Sequence, residues 1–272
     1  MKYLPTAWPE MALQISRAAR LFLFLDFDGT LAPIVRTPER AMITASQKKI
    51  LRDLTSITGV RVALVSGRAL SDVRAKMVSA RLGYAGNHGL EWDGFGRRHI
   101  APEAREALVI FQRVAGLLGA ALEGFRGLRL ENKGYSISVH YRGLQEKRVK
   151  AARRIVKAAI ETELHRKVIK FRQGKKVWEI RPAGNWHKGR RILWVLDQEG
   201  FLPARDMVLF FGDDRTDEDA FRALRRLGAG VKVSKTGAIS SAARYYVRSP
   251  AEVWKVLVLL RNARLKKTGN HA

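Results

Sequence analysis

Two aspartates, Asp26 and Asp28, close an unbroken apolar run, LFLFL, and a glycine and a threonine follow them. Carboxylates this close repel unless a cation or a shared proton separates them. Asp and Gly are turn formers, but a turn uses one aspartate and Gly29 and leaves the other carboxylate without a reason. The pattern returns twice. The run VRVALV ends in Ser66, Gly67 and Arg68, and MVLFF ends in Gly212, Asp213 and Asp214, with Asp217 close behind. Lys188 stands where a fourth element begins. Clustered carboxylates with few other ligand types suit a hard cation with oxygen ligands, Mg²⁺ first. A lysine and a serine hydroxyl beside such an ion suit a phosphoryl group. The residue types alone point to phosphoryl transfer, in which positioning and charge stabilisation do most of the catalysis. Asp214 and Glu218 have a plainer reading as a solvated helix start, where acids suit the helix dipole.

The elements that must hold these groups can be read from the apolar pattern. Leu21–Leu25 and Met207–Phe211 are short and wholly apolar, and Val60–Val65 is apolar but for Arg61, as strands buried on both faces of a parallel sheet are. Residues 44–55 and a segment carrying Leu70, Val73 and Met77 have helical spacing, and Leu82–Ala85 reads as a further strand. This β–α–β–α–β order predicts a doubly wound, Rossmann-like parallel sheet, with ligands at the carboxyl ends of its strands. The pattern changes near Gly94. Helices over 102–122 and 146–164 and strands over 128–131, 135–141, 168–171 and 176–180 predict a separate α+β insert. The domains are therefore expected as 1–95 with 182–272 for the core and 96–181 for the insert. Helix 250–262 closes the core, and the polar stretch RNARLKKTGNHA is expected to be a frayed end.

Composition narrows the partners. The 272 residues are 46% hydrophobic, contain no cysteine and carry a net charge of +26. Disulfides and thiolate metal sites are excluded, and no apolar run approaches membrane-spanning length. With no export signal, the cytoplasm is the default. The positive charge can mean a nucleic-acid partner. No nucleic-acid module accompanies it, so a solvated surface with an anionic small-molecule substrate is favoured; neither nucleic acid nor membrane is expected. The oligomeric state is not legible, and a monomer is the default.

Longer motifs carry a resemblance. DFDGT, the strand ending at Ser66, Lys188 and GDDRTD resemble the four motifs of the haloacid dehalogenase-like phosphatases. YAGNHGLE at 84–91, ENKGYSISVHYR at 131–142, EIRP at 179–182, HKG at 187–189 and GDDRTDEDAF at 212–221 narrow it to the trehalose-6-phosphate phosphatase family, over nearly all of residues 21–260. The resemblance implies an α/β core of haloacid dehalogenase-like fold with an inserted α+β cap domain that closes over the active site. It implies Mg²⁺-dependent hydrolysis of trehalose 6-phosphate, the last step of trehalose biosynthesis, through an aspartyl phosphate. Asp26 matches the nucleophile and Asp28 the general acid and base. Ser66 and Lys188 match phosphoryl-binding residues, and Arg68 lies close enough to join them. Asp26, the backbone carbonyl of Asp28, and Asp213 with Asp217 in support match the metal ligands. Sugar contacts are implied for Lys133, His140, Arg142 and Glu179 of the insert and for His88 and Glu91 of the core. Two alternatives stay open here: another sugar phosphate such as sucrose 6-phosphate, and a basic nucleic-acid-binding protein on a disused phosphatase fold.

Overall fold

A strand with no polar face must be covered on both sides, and Leu21–Leu25 is. In the computed structural model, which describes residues 1–35, 38–174, 176–237 and 240–269, all five of its side chains are buried. Leu21, Leu23 and Leu25 pack with Met11, Ile15, Leu51, Leu54, Val253 and Leu257. Phe22 and Phe24 point the other way, against Ile192, Val195, Leu196, Phe221 and Leu224. At roughly 1.5–3 kcal/mol for each fully buried large apolar side chain, this strand is a substantial apolar anchor of the core.

It lies inside a nine-stranded sheet of the described residues. The order is Lys2–Tyr3, Tyr245–Val247, Ala229–Val233, Met207–Gly212, Leu21–Leu25, Val60–Val65, Leu82–Gly86, Glu91–Gly94 and Arg97–Ile100. The first seven run parallel, and Glu91–Gly94 joins antiparallel. Leu25 pairs with Phe211 on one side and Leu64 on the other. Asp26, Ser66 and Asp213 therefore leave the sheet along one edge. The strand order reverses between Leu21–Leu25 and Met207–Gly212, which is the switch point where open α/β sheets bind ligands. Helices Trp8–Arg17, Ala45–Ser56 and Pro250–Gly269 cover one face, and Lys188–Gln198 with Glu218–Leu224 cover the other. Among the described residues no helix is long and apolar enough to cross a membrane.

The chain divides into two compact units, Met1–His99 with Trp186–Ala272, and Ile100–Asn185. Both edges of the insert fall four residues later than 96–181. At the second edge the insert's last strand, Val177–Pro182, runs past 181; at the first the reason is a hairpin without apolar alternation. Glu91–Gly94 and Arg97–Ile100 extend the core sheet through a turn in which Phe95 and Gly96 both have positive φ, 52° and 76°, as a two-residue hairpin loop requires. Within the insert, strands Arg129–Asn132, Ile137–His140, Val177–Pro182 and Ile169–Gly174 form an antiparallel sheet in that spatial order. One face carries Ile137, Val139, Trp178 and Ile180, which pack with Phe111, Val114, Leu118 and Val156 from the helices; the other face is polar. The strand expected over 135–141 is only Ile137–His140.

The expected frayed end is corrected as far as Gly269. Helix Pro250–Gly269 continues through it, because Arg264, buried to 2% exposure, donates to the carbonyls of Ile15, Ala18 and Ala19 at 3.2, 2.7 and 3.1 Å. Orphan carbonyls at the end of helix Trp8–Arg17 thereby gain a cationic partner. Residues 270–272 lie outside the described residues.

A second buried clip fixes the start of the central strand. Asp206 accepts from Arg20 Nη2 at 2.6 Å, from Arg20 Nε at 3.2 Å and from the Leu202 N–H at 2.9 Å. Burial works against the Asp206 carboxylate, but these donors and the Arg20 charge outweigh it and hold its pKa below the ordinary value. A depressed carboxylate stabilises the fold above its unfolded pKa of roughly 4, and the contribution is lost as pH falls through the folded value. Asp206→Ala is expected to cost about 2 kcal/mol at pH 7. In urea denaturation the gap to the parent protein shrinks at pH 3; an equal gap at both pH values would contradict this account.

Candidate active site

Two neighbouring parallel strands, Leu21–Leu25 and Met207–Gly212, bring the residues that follow them to one cluster of acids. The Asp26 N–H donates to Phe211 O at 2.9 Å, so the last sheet hydrogen bond fixes the residue's backbone. Its carboxylate is buried, accepts from Lys188 Nζ at 2.7 Å, and receives Thr30 Oγ1 on its other oxygen at 3.3 Å. Lys188 reaches it from the first residue of helix Lys188–Gln198, whose N-cap His187 accepts the Arg190 N–H through its ring. The same ammonium donates to Asp217 Oδ1 at 2.6 Å. Asp217 Oδ2 accepts the N–H groups of Asp213 and Asp214 at 2.8 and 3.1 Å. Both oxygens of Asp217 are thus engaged, and its work is to hold Lys188 and to shape the loop that presents Asp213.

Glycines make the approach possible. Gly29 has φ 84°, and a Cβ there would lie 2.2 Å from Asp213 Oδ2. The Asp213 carboxylate therefore lies directly against the backbone of the DFDGT loop. At Gly212 a Cβ would lie 2.5 Å from Asp217 Cγ.

The electrostatics are unbalanced. Burial drives the Asp26 pKa well above the ordinary value; Lys188 opposes this, and Asp217, Asp213 and Asp214 add to it. Burial, then Asp217 and Asp214, pushes Asp213 up to about 7. Burial also works against the Lys188 ammonium, but Asp217 and Asp26 outweigh it and raise its pKa well above that of an ordinary lysine. One cation faces several carboxylates. Ligand atoms of Asp26, Asp213 and Asp217 lie within 4.8 Å of one another, an all-oxygen donor set short of positive charge. That fits a hard divalent cation, which Asp26 and Asp213 could hold most directly.

Beside this cluster, Asp28 is clamped. Arg68 donates to both its oxygens, from Nε at 2.6 Å and Nη2 at 2.7 Å, and its Nη1 binds Asp72. Arg68 was expected to join the phosphoryl-binding residues; the structure commits these three donors to carboxylates. Ser66 is buried, and its Oγ accepts the Arg68 N–H at 3.2 Å. The Asn87–Gly89 turn backs this loop: the Asn87 N–H donates to Arg68 O at 2.7 Å and the His88 N–H to Ser66 O at 2.9 Å. The His88 ring packs over Gly67, where a Cβ would lie 2.3 Å from its Cε1. Glu91 accepts from the Asn87 side chain and from the Leu70 N–H, and burial raises its pKa despite both. Glu91 thus braces the first turn of helix Leu70–Lys76.

On the insert's polar face, register sets Glu131, Ser138 and Glu179 side by side across three strands. His140 Nε2 lies 2.7 Å from Glu131 Oε2, and Lys133 Nζ lies 4.0 Å from the same oxygen. Burial works against the Glu131 carboxylate, but His140 and Lys133 outweigh it and lower its pKa. Arg181 pairs with Glu179. Arg142 stands apart from this group, exposed in the turn after the shortened strand. The sequence reading passed over Glu131, the acid that gathers His140 and Lys133. The available signal was its place in an alternating strand pair, one residue from Leu130, which packs on the apolar face.

Known proteins match this architecture. The sequence model of the trehalose-phosphatase family matches residues 24–251. Trehalose-phosphate phosphatase B of Arabidopsis thaliana is 34% identical over 266 residues, which cover 93% of this chain and 70% of the plant protein. Trehalose-phosphate phosphatase of Mycobacterium bovis is 34% identical over 258 residues, 93% of this chain and 64% of that one. Among solved structures, the C-terminal domain of C. albicans trehalose-6-phosphate phosphatase superposes with a TM-score of 0.78 at 22% identity, covering 93% of this chain and 96% of that domain. A protein described as trehalose-6-phosphate phosphatase related also gives 0.78, at 23% identity, over 90% and 99% of the two chains.

The cluster makes a stability prediction. Lys188→Met leaves the carboxylates of Asp26 and Asp217 buried without their cation, and is expected to cost about 3 kcal/mol in metal-free buffer at pH 7. Made together with Asp217→Asn it costs less than the sum of the two single changes. Strict additivity in the double-mutant cycle would contradict the shared ion pair.

Proposed function

We infer the reaction from one premise: the chain belongs to the trehalose-phosphatase family. It hydrolyses trehalose 6-phosphate to trehalose and phosphate, in trehalose biosynthesis. The observation that carries the reading is the buried Asp26–Lys188–Asp217 ion cluster at the carboxyl end of the central strand, within the matched residues. The nucleophile, its cation and a brace for both are held there before any substrate arrives.

The residue roles follow from chemistry and contacts. Asp26 attacks phosphorus, the bond from phosphorus to the sugar O6 breaks, and an aspartyl phosphate forms. Asp28 gives a proton to the departing O6. It then takes one from the water that attacks the aspartyl phosphate, which releases phosphate and restores Asp26. The Arg68 fork orients Asp28 for both transfers. Lys188 offsets the charge on the nucleophile and on the phosphoryl oxygens. Ser66 Oγ already accepts the Arg68 N–H, so its own proton is left for a phosphoryl oxygen. Asp26, Asp213 and the Asp28 carbonyl would hold Mg²⁺, with Asp217 fixing the Asp213 loop. Bound there, the ion supplies positive charge to the phosphoryl oxygens. Sugar recognition is assigned to the polar face of the insert: Glu131, Lys133, His140 and Glu179 offer both donors and acceptors to hydroxyls. His88 and Glu91 are assigned to shaping the Ser66 loop rather than to direct sugar contact.

Phosphate release from a panel of sugar phosphates tests the substrate: trehalose 6-phosphate is expected to lead, and a preference for sucrose 6-phosphate would refute the choice. Asp26→Asn is expected to remain folded and lose at least about 10³-fold in kcat; substantial turnover in the folded variant would sink the nucleophile. Chelation should abolish turnover and Mg²⁺ restore it. If Asp213 must shed a proton to bind the ion, the apparent Mg²⁺ affinity falls about tenfold per pH unit below pH 7. A flat affinity between pH 6 and 8 would remove Asp213 as a titrating ligand.

A further inference from the structure

Helix Lys188–Gln198 carries two buried cations one turn apart. Lys188 has Asp26 and Asp217. Among the described residues Arg191 has no carboxylate in salt-bridge contact, yet its side chain is fully buried. Its Nε donates to Gly89 O at 2.8 Å, and its Nη2 to Leu90 O at 3.2 Å. Nη2 also lies 3.0 Å from His99 Nδ1. A guanidinium only donates, so His99 Nδ1 accepts. The guanidinium carbon sits 4.3 Å from the Trp186 ring centroid and 4.8 Å from that of Trp194, within cation–π range. Burial pushes the Arg191 pKa down to about 9, against the pull of Glu91. Burying a cation here is costly, and the groups that repay it are backbone carbonyls, an imidazole and two indole faces.

Those carbonyls belong to a strained turn. Asn87, His88 and Gly89 have φ of 51°, 57° and 99°, three left-handed residues in succession. Such a conformation persists only where its surroundings over-determine it. On one side the turn is hydrogen-bonded to the carbonyls of Ser66 and Arg68, and the His88 ring covers Gly67. On the other side stands Arg191. His99 and Trp186, which flank the guanidinium, are also the residues at which the chain leaves this unit for the insert and returns to it.

We propose that Arg191 is a positioning residue for the phosphoryl pocket: it locks the Asn87–Leu90 turn, and with it the Ser66–Arg68 loop, in register with Lys188 on its own helix. The proposal rests on the phosphatase reading of Ser66 and Lys188. Arg191 touches no reacting atom. It sets the spacing between two groups that must grip the same phosphoryl oxygens, and small misplacements of such groups cost large factors in rate.

The test reads the pocket's grip on a tetrahedral anion. Inhibition by tungstate is measured on the full-length, Mg²⁺-loaded protein, with p-nitrophenyl phosphate as the reporter substrate, well below the melting temperature of each variant. Arg191→Met is expected to raise the tungstate inhibition constant about tenfold. Arg191→Lys keeps a charge and one donor direction but not the fork, and is expected to raise it about threefold. A role in stability alone would lower the melting temperature and leave the inhibition constant of the folded protein unchanged, and that result would overturn the proposal. If Arg191→Met does not fold, Arg191→Lys decides: an unchanged constant overturns the proposal and a raised one supports it. Failure of the substrate assignment reads differently, as a parent protein that hydrolyses the aryl phosphate and leaves trehalose 6-phosphate untouched.

Discussion

The Lys188 ammonium, buried between Asp26 and Asp217, is the contact on which the site depends. Without it, burial and mutual repulsion would drive protons onto carboxylates that phosphoryl transfer needs ionised. With it, one cation still faces an excess of acids, and the remaining imbalance makes the site receptive to a dication. Several features of the fold serve this arrangement. The wholly apolar strand Leu21–Leu25 keeps water from the base of the cluster. The parallel register with Met207–Gly212 aligns Asp26 with the loop carrying Asp213 and Asp217. Glycines at 29 and 212 let carboxylates approach backbone where any side chain would collide with them.

Legibility in the sequence followed the range of the physical signal. A strand buried on both faces writes itself as an unbroken apolar run, so the central strands, their terminal acids and the parallel order could be read directly. The hairpin of Glu91–Gly94 and Arg97–Ile100 writes no such signal: apart from Trp92, Phe95 and Ile100 its residues are polar or glycine, and it turns on two positive φ angles at Phe95 and Gly96. The insert's first edge moved with it. The helix through Arg264 was hidden for another reason. RNARLKK looks like a solvated end, and only the carbonyls of Ile15, Ala18 and Ala19, some 245 residues away, make Arg264 a buried residue.

Residue type was legible at the site, and division of labour was not. Asp213 and Asp217 read alike as acids after a buried strand. The structure separates them: both oxygens of Asp217 are engaged by Lys188 and by backbone amides, while Asp213 is set against the DFDGT loop with its pKa raised to about 7. Arg68 read as an anion-binding residue because of its position after Ser66, and its fork grips Asp28 instead. In both cases a deciding partner comes from a distant element, Lys188 for Asp217 and Asp28 for Arg68, which local pattern cannot reveal.

Among the described residues Lys188, Arg191 and Arg264 are the most deeply buried cations, and their partners separate their tasks. Arg264 and Arg191 donate to backbone carbonyls, acceptors that are neutral and fixed in place. Such bonds lock geometry and exchange poorly with an incoming anion, because the carbonyls they would abandon are buried. Lys188 instead faces carboxylates, whose charge would change in the proposed reaction as Asp26 is phosphorylated and released. A point charge with rotatable donors can share itself between a carboxylate and a phosphoryl oxygen as that charge moves; a forked guanidinium held by carbonyls cannot. Lysine at 188 and arginine at 191, one turn apart on the same helix, therefore divide the work between a cation that responds to chemistry and one that keeps the surrounding loops still while it does.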